Sequence, residues 1–320
     1  MRRRRAFVFF AISVLVLFLC PWLGASPISP SDALNSSGLE SKIFWQIRMP
    51  RVIFAWCAGA TFGVCGMVFQ AIFRNPLAEP SILGVSAGAA LGAAAAIRFG
   101  FGTSFLGAAL PVSAFAGSML SIAIISALSR MVKGTKDATL LLAGVAISSL
   151  FSSLIMVFQY TGGAAETHSL ISWTMGGISA VGMNDGLRAL PSVIISLALA
   201  IFFSGELDLM MFGDEIATTR GVSIDRTRRL LFAGVSLSIA IVVANCGPIA
   251  FLGLIAPHAA RSAAGYRHKN LSIMTAAIGG SALVLCDTAA RTLLAPADIP
   301  VGIIVSFLGA PFFLWLLFKR

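Results

Sequence analysis

Leu230 to Ala264 is a stretch of 35 residues in which Arg261 carries the only formal charge. A helix needs about 20 apolar residues to cross a bilayer core, so this stretch belongs in a membrane and is too long for one ordinary crossing. It is broken once, at Asn245-Cys246-Gly247-Pro248, where glycine and proline together signal a turn. Arg226, Arg228 and Arg229 precede it, and Arg261, Arg267 and Lys269 end it. Basic residues collect on the cytosolic side of spanning helices. Both ends therefore prefer that side, and the stretch is predicted to form two short crossings with the break outside.

The rest of the chain is written in the same way. Only 11% of the 320 residues are charged, 58% are hydrophobic, and the mean hydropathy is +0.92, whereas soluble domains are about a quarter charged. The length admits roughly a dozen crossings and leaves no room for a separate soluble catalytic unit. A single all-α polytopic membrane domain over residues 1–320 is expected. Arg2 to Arg5 followed by the uncharged Ala6 to Leu23 resembles a signal peptide, and Leu17 to Cys20 a lipoprotein cleavage box. The run exceeds a signal peptide's usual apolar length of about 7–15 and further spans follow, so it reads as the first transmembrane helix. Apolar runs at 52–73, 81–97, 104–129, 138–160, 189–204, 271–286 and 301–318 bring the number to ten transmembrane helices, with both termini inside. The segments 26–51, 161–188 and 287–300 fall outside, the second with room for a short surface helix near Trp173. On this topology seventeen Lys and Arg lie inside and six outside (Lys42, Arg48, Arg51, Arg98, Arg188, Arg291), the asymmetry expected of a membrane protein.

Several function classes drop out. The net charge of +10 is spread in short clusters at the ends of apolar runs rather than along one polar face, which argues for membrane topology and against nucleic acid. The five cysteines (Cys20, Cys57, Cys65, Cys246, Cys286) lie in or beside apolar runs without a metal-binding spacing and read as packing residues. Apart from Arg261 near the end of its run, the predicted spans hold no Asp, Glu, Lys or Arg that could sit near mid-membrane, which argues against a proton relay. His168, His258 and His268 fall in different segments, so no His-based metal site is expected, and no P-loop motif occurs, so this chain does not itself hydrolyse nucleotide. Glycines four apart (Gly59 and Gly63; Gly84, Gly88 and Gly92) suit close helix packing.

One long polar interruption remains, Gly205 to Arg229. Asp214 to Arg220 suits a short helix with Asp214 and Glu215 at its positive end, Arg220 in its last turn and Gly221 as its stop. Ser223 can cap the following helix, with Asp225 in its first turn. Ile216 and Ala217, with Met210, Met211 and Phe212, are expected to offer an apolar patch to a partner. A solvated loop folded back on the helix ends would have the same composition.

Taken with the sequences Ile47 to Val52 (IRMPRV), Gln70 to Ala89 (QAIFRNPLAEPSILGVSAGA), Leu141 to Ser148, Trp173 to Gly177 (WTMGG) and Gly247 to Arg261 (GPIAFLGLIAPHAAR), the chain resembles the permease subunits of bacterial ABC importers for ferric siderophores, haem and vitamin B12, nearly end to end. CDTAAR, IPVGI and LGAPFF continue the likeness, although Ala297-Asp298 stands where many members have Glu-Leu or Glu-Ile. The resemblance implies the ten-helix architecture of a type II importer permease, a homodimer in the bacterial inner membrane, two ATP-binding cassette subunits and a periplasmic or lipoprotein substrate-binding protein. No cofactor is implied in this chain; ATP and Mg belong to the partner ATPase. Asp214, Glu215, Ile216, Ala217, Thr218, Arg220, Gly221 and Val222 correspond to the coupling helix that enters a groove of the ATPase. Arg48, Arg51 and Arg291 match positions that pair with acids of the binding protein; anchoring of helix ends, or pairing with Asp287, is the competing reading. Outside that resemblance, a secondary transporter or channel needing no ATPase is the alternative from the residues alone.

A fainter pattern links two turns. Asn75-Pro-Leu-Ala precedes Leu83-Gly84 and Gly247-Pro-Ile-Ala precedes Leu252-Gly253, one expected inside and one outside. An inverted repeat produces that placement, and so does chance among short apolar motifs.

Overall fold

The computed structural model describes residues 2–24, 26, 28–34, 38–100, 109–131, 136–295 and 297–318. Lys133, Lys319 and Arg320, used in the charge count, and residues 104–108 of the fourth expected helix lie outside them. The described residues are helical, with no strand: α1 (Arg2–Leu19), α2 (Pro30–Leu34), α3 (Leu39–Ile43), α4 (Met49–Ile72), α5 (Val85–Arg98), α6 (Ala109–Met131), α7 (Lys136–Thr161), α8 (Ala164–Thr174), α9 (Met183–Leu187), α10 (Leu190–Phe202), α11 (Ser204–Met210), α12 (Asp214–Thr219), α13 (Ile224–Cys246), α14 (Leu252–Ala264), α15 (His268–Thr292) and α16 (Val301–Phe318). Among them, six segments are long and apolar enough to cross a membrane, and α1, α5 and α16 are shorter apolar helices. The chain is therefore a multi-pass membrane protein.

The bundle is built around α4. It is apolar on every side and buried along nearly its whole length, as a helix must be when it is surrounded by others. Its neighbours are α10, α13, α14 and α15. Small residues allow the approach. A methyl group at Gly59 would run into the Gly279 carbonyl of α15, and one at Gly66 into the Gly253 carbonyl of α14. With lipid tails as apolar as the side chains, close backbone contact of this kind is what holds membrane helices together. On the periphery α6 and α7 bury little of their apolar surface, as helices facing lipid do.

Three expectations change. First, α13 is not a short crossing: it spans 23 residues, because the charged root Ile224–Arg229 is part of the helix, and only α14, at 13 residues, is short. The break between them starts on the outer side, where Asn245 and Cys246 line a cavity with Arg51, and then runs inward. Gly253 packs on Gly66, six residues from the end of α4, and Ile249 and Leu252 are buried. Second, α15 continues through Asp287 to Thr292. The outer loop predicted from Asp287 onward thus begins later, since the helix gains a buried partner for that carboxylate. Third, the spans are not free of ionisable groups, because this extension brings Asp287 and Arg291 inside α15, both buried. The short surface helix expected near Trp173 is present as α8, and four of the five free cysteines are buried, Cys286 partly so.

Candidate functional site

At one end of the bundle, α11, α12 and the root of α13 form a compact unit. Leu207 and Met210, three apart on α11, are both fully buried, and Asp208 accepts the backbone N–H of His268 at 2.9 Å while lying 2.6 Å from its Nδ1. Those contacts fix α11 to the start of α15. The i, i+3 pair Leu207 and Met210 is the sequence signal for this helix, which the polar reading of 205–229 passes over.

Gly213, at φ +115°, turns the chain into α12, and the helix runs Asp214–Thr219, close to the expected limits. Asp214 and Glu215 occupy its first turn, where acids favour the positive end of the helix dipole. It ends as glycine dictates. Gly221, at φ +86°, donates to Thr218 O at 2.9 Å, and Val222 donates to Ala217 O at 3.0 Å, the paired bonds of a Schellman motif. Arg220 is exposed beside them. Ser223 takes the N-cap position of α13 but makes no capping bond with its side chain, so the expected cap is positional only.

The apolar patch is smaller than expected. Ala217 and Met210 are buried beneath α12, whereas Met211, Phe212 and Ile216 are exposed at 47%, 72% and 48%. Three large apolar groups are thus exposed together on an otherwise polar tip. Behind it, the Asp214 carboxylate lies 3.6 Å from Arg74 Nη2 and 3.4 Å from Arg228 Nη2, which ties α12 to the end of α4 and to α13.

Arg74 opens the segment to α5 that reads from its sequence as a surface turn. Asn75 Oδ1 accepts the Leu77 N–H at 2.9 Å, a local turn. The segment then re-enters the bundle: Ala78 and Glu79 are 2% and 7% exposed. The Glu79 carboxyl lies beside the backbone N–H of Phe251 and the Ser81 side chain. The two segments with related sequences meet further in, Pro80 lying against Gly253, while Asn75 starts beside Arg74 at the α12 end and Gly247 starts against Trp173 at the other end of the bundle. Each ends in a left-handed residue that begins a helix, Gly84 for α5 and Phe251 for α14.

At the opposite end, the three predicted arginines are held by the chain itself. Arg48 is 4% exposed and donates to the carbonyls of Pro21 at 3.4 Å and Trp22 at 3.2 Å. Arg51 grips both oxygens of Asp287, at 3.0 and 3.2 Å, and reaches Asp298 at 2.8 Å. Arg291 lies 3.2 Å from Asp287 one turn away and donates to Leu23 O at 3.4 Å. Asp298, the departure in the C-terminal motif, is thus a ligand of Arg51. A cavity of about 610 Å³ opens beside this network, with Arg51, Asp298, Asn245, Trp173 and Arg188 on its wall.

Comparison with known proteins gives one answer throughout. The model of the FecCD transport family matches residues 12–319. An iron(3+)-hydroxamate import system permease protein, FhuG of Bacillus subtilis, is 37% identical over 98% of this chain and 96% of its own. A hemin transport system permease protein, HmuU of Yersinia pestis, is 37% identical over 93% and 90%. Among solved structures, a metal-chelate type ABC transporter in an inward-facing conformation superposes with a TM-score of 0.89 over 99% of this chain and 100% of that one, at 28% identity.

Proposed function

The chain belongs to the FecCD transport family, the non-catalytic permease subunits of ATP-driven importers, and on that premise we propose how its parts serve transport. It crosses the cytoplasmic membrane ten times with both termini inside, and two copies enclose the path. Two ATP-binding cassette subunits, which carry the ATP, the Mg and the hydrolysis, lie on the α12 side. A substrate-binding protein lands on the arginine end. The cargo is a bulky metal chelate or macrocycle of the kind named in its relatives, an iron hydroxamate, haem or a corrinoid.

The observation that carries the coupling role is α12. A six-residue helix, stopped by Gly221 and buttressed by Asp214, holds Met211, Phe212 and Ile216 out into solvent. Such a rigid apolar tip is suited to a groove on a moving partner, with Glu215, Thr218, Arg220 and Val222 framing it. For the landing site, Arg48 and Arg291 set the shape of the surface from below, and Arg51 with Asp298 reaches its rim. Guanidinium groups can take a second carboxylate without losing charge.

The test is a photo-crosslinker at Ile216 in native membranes. A crosslinked product containing a P-loop ATPase is expected, and Ile216→Glu is expected to release that ATPase on purification. Retention of the ATPase by Ile216→Glu, with no crosslink, rules out the assignment of α12.

A further inference from the structure

Besides the direct tie of Asp214 to Arg228 of α13, a run of contacts links α12 to the membrane core through the segment 73–84. Its near end is Arg74, which holds Asp214 of α12 and has a left-handed backbone at φ +47°. Its far end is the buried Glu79, next to Pro80, which packs on Gly253, with its carboxyl beside the backbone N–H of Phe251, also left-handed at φ +66°. Non-glycine residues adopt that conformation only when their surroundings impose it. Phe251 begins α14 and presses on Gly309 of α16, where an added methyl group would strike its Cβ. Ser81, two residues after Glu79, then lines a cavity of about 480 Å³ together with Ile249 and Ala250 of the α13–α14 break and Ile303 and Ser306 of α16.

We propose that segment 73–84 is the lever by which α12 repositions the break before α14 and the facing wall of α16, with Arg74 and Glu79 as its positioning residues. The proposal rests on α12 being the ATPase contact. When α12 moves, Asp214 draws on Arg74. The strained bends at Arg74 and Phe251 are the two places where the backbone can change well rather than deform. Glu79 joins them, because its carboxylate holds the Phe251 turn in register with the segment. Moving that turn shifts Phe251 against Gly309 and alters the cavity wall. The acceptor oxygen carries this role, not the negative charge.

The test uses the purified complex of this chain with its ATPase in lipid nanodiscs, and needs no cargo. Ser306→Cys, in a chain with Cys286→Ala, reports maleimide labelling with and without ATP and vanadate. The parent is expected to change its labelling rate by on the order of fivefold or more. Glu79→Leu and Arg74→Met are expected to lose that response while the ATPase stays bound and hydrolyses ATP. Glu79→Gln, which keeps an oxygen for the Phe251 N–H, is expected to retain it. Arg74, partly exposed, provides a variant that does not depend on packing in the core. A normal response in Glu79→Leu or Arg74→Met, or a response lost equally in Glu79→Gln and Glu79→Leu, overturns the lever. If Ile216→Glu releases the ATPase while Glu79→Leu responds normally, the lever fails and the α12 contact stands; if Ile216→Glu retains the ATPase, the contact itself fails.

Discussion

Arg51 and Asp287 are 236 positions apart in the chain, yet Nε of the arginine donates to both oxygens of the carboxylate, at 3.0 and 3.2 Å. Arg291 flanks the same carboxylate, so one buried acid serves two largely buried cations. Removing one member of a buried ion pair leaves the other charge without compensation, at about 3–5 kcal/mol. Asp287→Ala strands the buried Arg291 and leaves Arg51 with only the exposed Asp298, and is expected to fall in that range. Arg51→Ala leaves Asp287 with Arg291 and is expected to be milder. Thermal unfolding of the two variants in the same detergent gives the comparison, and equal losses would show that the triad does not act as a unit.

The contact of Gly66 with the Gly253 carbonyl leaves no room for a methyl group. Gly66→Ala must therefore push α14 from α4, and overpacking of this kind destabilises by about 1–3 kcal/mol. Gly205, in α11, has open space around its Cβ position. Gly205→Ala is expected to be neutral or to stabilise by up to about 1 kcal/mol through helix propensity. Parallel melting curves decide, and a Gly66→Ala protein as stable as its parent would mean that the backbones do not meet as described.

Docking at the arginine end has a sharper test than charge reversal. Arg48 is buried under the carbonyls of Pro21 and Trp22, so an acid there would break the fold before it reported on a partner. Asp298, by contrast, is 59% exposed and competes for Arg51. Asp298→Asn frees that guanidinium for a carboxylate of the binding protein. Since an exposed pair is worth up to about 1 kcal/mol, capture should tighten by up to about fivefold at low salt, and the gain should fade as salt rises. Unchanged or weaker capture at low salt counts against Arg51 as a docking group.

How far the sequence foretold these sites depends on the range of the forces involved. α12 was readable because every device in it is local: acids in the first turn, a glycine stop, and a helix six residues long. Which of its side chains face outward was not, because Ala217 is buried where α12 meets α11 and α13, elements apart in the pattern. Asp287 was assigned to a loop by the rule that charges avoid membranes, and the partner that overrides the rule lies at Arg51. Glu79 was hidden in the same way. Asn-Pro and Glu beside a basic residue describe a cytosolic turn, and only the meeting of Pro80 with Gly253 shows that the chain folds back inward.

Gly221 is where local geometry and transport meet most directly. At φ +86° it supplies the bond to Thr218 and positions Val222 to bond Ala217. An L-residue in the left-handed region costs about 1–2 kcal/mol, and a branched Cβ adds to that. Gly221→Val is therefore expected to unseat the end of α12 while α13, which starts only at Ile224, remains helical. Because α12 is a six-residue helix with few contacts of its own, the loss should appear in coupling before it appears in assembly. In cells carrying the whole importer, uptake per ATP hydrolysed should fall about tenfold or more, the effect of about 1.4 kcal/mol. The probe is an iron(III) hydroxamate, haemin or cyanocobalamin, whichever the parent takes up. Parental uptake in Gly221→Val would mean that the glycine stop has no part in coupling.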